Sequence, residues 1–167
     1  GLYTVLVDGD DFNEPITDTA RSILDGHIVL DRKIAQKNHY PAIDILASIS
    51  RVMSSIVTKE HKKASGELKN VLATYAEAED LVNIGAYKPG SNKKIDFALS
   101  KIDEVNDFLM QDVYEKCNFD DVVNELIAIF NDEEKTDAEH CKKKYGYDIL
   151  WLNLFLNYKI YFQSKKS

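Results

Sequence analysis

Apolar residues recur along this chain at two different spacings, and the change between them falls near Thr58. Ahead of it the apolar runs are short and set among turn formers. Residues 2–7 (LYTVLV) combine β-branched and aromatic side chains without polar alternation, which predicts a strand buried on both faces, as in a parallel sheet. Asp8, Gly9, Asp10 and Asp11 bound it. Thr17 and Asp18 offer N-cap chemistry to a short helix carrying Ala20, Ile23 and Leu24, which Gly26 is placed to close in the left-handed conformation. Residues 27–30 (HIVL) predict a second strand and residues 31–37 one or two helical turns. Ile43, Ile45, Leu46 and Ile49 then supply core material, beside a polar cluster of Ser48, Ser50 and Arg51.

Beyond Thr58 the spacing is helical. Leu68, Val71, Leu72, Tyr75 and Val82 form one stripe that Gly85 ends, and Lys88-Pro89-Gly90-Ser91-Asn92 is a strong turn. Ile95, Ala98, Leu99, Ile102, Val105 and Leu109 form a second stripe. Asn118 caps a third helix carrying Val122, Val123, Leu126, Ile127 and Phe130. The expectation is strand–helix–strand in front and a bundle of three or four helices behind. Residues 131–148 are dense in charge, and residues 149–162 are aromatic and free of charge until Lys159. That stretch is expected to be a poorly ordered tail, prone to aggregate if left unpaired.

Composition narrows the function classes. With 167 residues and a 44% hydrophobic share, the chain supports one core or slightly more. A net charge of -7 argues against a nucleic-acid surface. Cys117 and Cys141 lie far apart with no CxxC spacing, as expected of free thiols in a reducing compartment. His27, His39, His61 and His140 show no metal-ligand spacing. No run reaches ~20 apolar residues, so no membrane span is expected. No signal peptide opens the chain, and a start at Gly1 rather than Met reads as a cut inside a larger protein.

Five features could carry chemistry or recognition. Tyr40 precedes Pro41, which biases its backbone toward extended conformations, so the ring could offer a flat face to a purine, or simply seal a domain edge. Arg51 is either an ion pair or carbonyl cap, or a cation that stabilises charge on a transferring phosphoryl group. Asp8, Asp10, Asp11 and Glu14 could bind a metal or act as a base, but a solvated turn is the simpler reading. Phe108 lies on the second helical stripe, where core packing is commoner than ligand contact. The basic turn YKPGSNKK, with Lys88, Lys93 and Lys94, could steer toward an acidic partner or only aid solubility.

Together, GLYTVLVDGDD, NEPI, ILDGHIVL, HYPAID and IGAYKPGSN over residues 1–130 closely resemble the C-terminal part of flagellum-specific protein-export ATPases, type III secretion members of the F1/V1-like rotary ATPase superfamily. The resemblance implies the edge of a RecA-like P-loop NTPase α/β domain at residues 1–57 and an all-α C-terminal helical domain at residues 58–130, with residues 131–167 an atypical tail. It implies that Tyr40 stacks on the adenine of ATP, that Pro41 fixes its shape, and that Phe108, in an FL-x-Q segment, helps enclose the base. A second aromatic wall would fall near Val113 or Tyr114. Arg51 would be an arginine finger reaching the nucleotide of the neighbouring subunit, a role worth roughly 10³–10⁵ in rate. The acidic loop would face the central channel rather than hold Mg²⁺.

The implied whole is a cytoplasmic homohexamer, peripheral to the inner-membrane export gate, that hydrolyses ATP with Mg²⁺ to export flagellar proteins. A stalk-like coiled coil and a peripheral regulator would be its partners. The chain lacks a phosphate-binding Gly-rich loop with its Lys and Ser/Thr, and the strand carboxylate that organises Mg²⁺, so those sites are expected outside it and the chain alone is expected to be inactive. The alternatives are a non-catalytic assembly or docking module, an injectisome ATPase, or a rotary synthase subunit, the last disfavoured by the basic turn.

Overall fold

The computed structural model describes residues 3–7, 9 and 11–131. The expected tail, apart from Asn131, lies outside the described residues, as do Asp8 and Asp10. Residues 3–7 form no strand and are largely exposed, contrary to the expectation for residues 2–7. Strand pairing is non-local, and the two strands of the described sheet pair with each other, leaving no ladder for this segment.

Helix α1 (Pro15–Ile23) starts earlier than Thr17 and Asp18 suggested. Glu14 is its extended N-cap residue and Pro15 occupies the first turn, where a missing N–H costs nothing. Thr17 is instead buried inside the helix, its hydroxyl donating to Glu14 Oε1 at 2.7 Å. Gly26 is not the left-handed stop; Leu24 ends the helix in an extended conformation and Gly26 opens strand β1 (Gly26–Leu30).

Helix α2 (Arg32–Gln36) follows, capped by Asp31, whose side chain accepts the Lys33 N–H. Strand β2 (Ile43–Ser50) then pairs antiparallel with β1, matching Gly26 with Ser50 and Leu30 with Ile43. The register breaks between His27 and Val29, where residues 45–48 of β2 stand against Ile28 alone. Asp44 and Ser48 stabilise this bulge. The Asp44 carboxylate accepts the N–H groups of Leu46 and Ala47, both at 2.9 Å. The fully buried Ser48 hydroxyl donates to the Asp44 carbonyl and accepts the Val29 N–H at 3.0 Å. The bulge also sorts the apolar residues: Ile43 and Ile45 are buried, whereas Leu46 and Ile49 are exposed.

After the single-turn helix α3 (Met53–Ile56), the Thr58 side chain accepts the His61 N–H and opens α4 (Lys59–Asn83). Gly85, at φ 69°, takes the chain out of that helix. Helices α5 (Lys93–Leu109) and α6 (Phe119–Phe130) pack against α4. Leu68, Val71, Ile102, Val105, Val122 and Leu126 form the heart of the core, and Ile43 and Ile45 of β2 join it. The two-stranded sheet is thereby seated on the helical bundle.

Candidate functional site

The YPA segment and the FL-x-Q segment, far apart in sequence, meet in space. Helix α5 ends at Leu109, and Met110 leaves it extended with φ -82° and ψ 139°. The next residue, Gln111, donates its main-chain N–H to the Tyr40 carbonyl at 2.9 Å. Tyr40, held through its main-chain carbonyl by this bond, is 54% exposed. Its peptide bond to the half-buried Pro41 is cis. Phe108 is half-buried and packs against the core, so only part of its ring faces outward.

The approach to Tyr40 is tightly built. Asn38 adopts φ 59°, a left-handed conformation that asparagine tolerates, and its N–H donates to the Ala35 carbonyl at 3.0 Å. Lys37 Nζ meets Glu79 Oε1 of α4 at 3.4 Å. His39 is half-buried, and burial holds its imidazole below the ordinary 6.5, so it is neutral at pH 7 and adds no charge beside the phenol.

The segment after Gln111 folds around Glu115. The Glu115 carboxylate accepts the Asp112 N–H at 3.1 Å, and its carbonyl accepts the Gln111 side-chain amide at 3.3 Å. Val113 and Tyr114 project from this turn, 79% and 78% exposed. Cys117 is a free thiol pushed up to about 11, by burial first and then by the negative Glu115.

Arg51 lies apart from this cluster, just past the end of β2. Its main-chain N–H donates to the Asp25 carbonyl at 2.8 Å, and its guanidinium donates to the carbonyls of Ser22 and Arg21, each at 3.3 Å. Those carbonyls end α1, where a cation is favoured by the helix dipole. Within this chain Arg51 therefore acts as a carbonyl cap, while remaining exposed. Arg21 Nε and Ser50 Oγ are buried without hydrogen-bond partners. His27 is kept low chiefly by burial, opposed by its bond to the Ala47 carbonyl and reinforced by Arg21 and Arg51.

Of the acidic loop, Asp11 accepts the Asn13 N–H at 2.9 Å and Glu14 accepts from Thr17, which are turn and cap roles. Among the described residues no three His, Cys, Asp or Glu side chains could together hold a metal ion.

Two family descriptions match the chain in succession. Residues 1–50 match the nucleotide-binding domain of the ATP synthase alpha/beta family, and residues 57–128 match the T3SS EscN ATPase C-terminal domain. The flagellum-specific ATP synthase of Bacillus subtilis (strain 168) is 51% identical over 133 residues, covering 80% of this chain. The chain belongs to the ATPase family of flagellar and type III secretion systems. It spans 30% of the length of that relative. The fold agrees with the family's known architecture. The assembled ATPase EscN of the enteropathogenic E. coli type III secretion system matches with a TM-score of 0.75 at 42% identity, over 77% of this chain and 31% of that one. EscN in complex with its central stalk EscO matches with a TM-score of 0.67 at 41% identity, over 70% of this chain and 29% of that one. An ATP synthase alpha/beta nucleotide-binding segment is thus followed by the family's helical C-terminal domain. Among the described residues no helix is long and apolar enough to cross a membrane.

Sequence reasoning singled out Tyr40, Pro41, Phe108 and Arg51. The structure brings the first three to one end of α5 and leaves Arg51 at the end of α1. It also brings in Gln111, Glu115 and Glu79. Gln111 was visible only as the last letter of FL-x-Q, because its main chain makes the contact.

Proposed function

We propose that this chain is the C-terminal part of a flagellar protein-export ATPase, in which residues 1–57 complete the nucleotide-binding domain and residues 58–130 form the helical domain. Tyr40 stacks on the adenine of its own protomer's ATP, with Pro41 shaping the platform and Phe108 enclosing it. The observation that carries this is the bond from the Gln111 N–H to the Tyr40 carbonyl, which sets an exposed phenol beside the FL-x-Q segment. A stack of this kind needs a rigid, exposed aromatic face and tolerates the absence of polar contacts.

Arg51 is the arginine finger for the neighbouring subunit's ATP. Its exposure supports this, and reaching a neighbour's phosphate requires it to release the Ser22 and Arg21 carbonyls, which it holds at 3.3 Å. Mg²⁺ and the phosphates are held outside this chain, and the active form is a homohexamer. The EscN assembly supports the ring, and its complex with a stalk supports a stalk-like coiled coil as partner. A peripheral regulator and exported flagellar proteins complete the partners, and the assembly works in the cytoplasm, peripheral to the export gate. The chain by itself hydrolyses no ATP. The 51% identity to the Bacillus subtilis flagellum-specific relative supports the flagellar reading, and injectisome export is the alternative.

The test uses this chain joined to the rest of the nucleotide-binding domain. Arg51→Ala is expected to lower kcat by roughly 10³-fold or more with little change in nucleotide affinity. Tyr40→Ala is expected to weaken nucleotide binding by about 1–3 kcal/mol while kcat holds. Affinity lost at Arg51 with turnover intact would reassign it to ground-state binding.

A further inference from the structure

We propose that Gln111 is a positioning residue for the base platform: its main-chain N–H holds the Tyr40 carbonyl, so the helical domain sets where the tyrosine ring stands. This rests on the reading of Tyr40 as the base-stacking residue.

Three observations support it. The Gln111–Tyr40 bond, at 2.9 Å, joins the end of α5 to the loop between α2 and β2. The segment carrying the donor is itself ordered, because the Glu115 carboxylate accepts the N–H of the next residue, Asp112, at 3.1 Å. A second, weaker tie between the same two regions is the Lys37–Glu79 ion pair, which is exposed and screened by solvent. The loop carrying Tyr40 is thus fastened to the helical bundle on both sides. A shift of the end of α5 would carry the ring with it, and nucleotide affinity would follow the position of the helical domain.

The N–H can be removed without changing the preceding backbone. Met110 already has the extended conformation that proline demands of the residue before it. In the chain joined to the rest of its nucleotide-binding domain, Gln111→Pro is expected to raise the nucleotide Kd and KM about three- to tenfold, the worth of one hydrogen bond, with kcat unchanged. Gln111→Ala, which keeps the N–H, is expected to stay within twofold. Equal loss in both variants would assign the effect to the side chain and overturn the proposal. So would loss in neither while Tyr40→Ala still weakens binding. If Tyr40→Ala has no effect, the base-stacking reading fails instead, and the tether is then judged on the unmodified chain. There the Gln111 amide is expected to exchange with solvent at least tenfold more slowly than the exposed Val113 amide, and equal rates overturn the tether. The same exchange measurement decides if Gln111→Pro does not fold.

Discussion

At the scale of single residues, the chain separates groups that face solvent from groups the fold has stripped of it. His61 is 2% exposed, its Nε2 has no hydrogen-bond partner, and its ring lies 6.3 Å from that of Phe119. Burial holds its pKa below the ordinary 6.5. The folded state therefore binds fewer protons than the unfolded state as pH drops past 6.5, and stability falls with pH in that window. Unfolding free energy is expected to be flat from pH 8 to 7 and to decline from pH 7 to 5.5, with His61 contributing at most about 1.4 kcal/mol per pH unit. His61→Leu should make the decline shallower in denaturant titrations; an unchanged slope would contradict a buried neutral imidazole. The sequence drew attention to Tyr40 and Arg51 because their residue types sit in a recognisable context. What holds each of them was not legible. Arg51 caps carbonyls of α1 and Tyr40 is held by a main-chain donor, and neither main-chain partner leaves a trace in residue type.

At the scale of elements, the helices were the easiest to read. In α4, α5 and α6 the apolar stripe persists over several turns, and each buried set follows it. Strand β2 was harder, because its bulge breaks the period of two and exposes Ile49 where alternation from Ile43 and Ile45 expects core, while Leu46, also expected in the core, falls on the outer face. The α4–α5 turn shows how a short charged segment becomes ordered. Asp96, in the first turn of α5, accepts the Gly90 N–H at 3.0 Å and the Tyr87 hydroxyl at 2.9 Å. Gly90 itself sits at φ 86°, where a side chain would be strained. Asp96→Ala is expected to cost about 0.5–1.5 kcal/mol, since the exposed Gly90 N–H turns to water and the Tyr87 hydroxyl keeps the Asn92 carbonyl at 3.1 Å, and Asp96→Asn less, since one accepting oxygen remains. Thermal unfolding followed by circular dichroism measures both. An Asp96→Ala chain as stable as the parent would show that the turn orders itself without this carboxylate.

At the scale of the whole molecule, the chain carries a segment that matches the nucleotide-binding domain of the ATP synthase alpha/beta family and presents surfaces suited to the rest of that domain. Tyr3, Leu6, Ile16, Ile23 and Leu30 in the front segment are all strongly exposed apolar residues, as expected where a larger sheet and its helices would cover them. Ring assembly is accordingly expected only when this chain is joined to the rest of its nucleotide-binding domain. Sizing the two forms side by side checks that, and a hexamer of this chain alone would contradict it. The central claim is that the Tyr40 ring is the surface on which the base rests. Photolabelling the joined, assembled protein with an azidoadenosine triphosphate, followed by peptide mapping, tests it most directly. The account predicts the label on Tyr40 within residues 39–41. Label found only elsewhere, in a protein that still binds nucleotide, would contradict it.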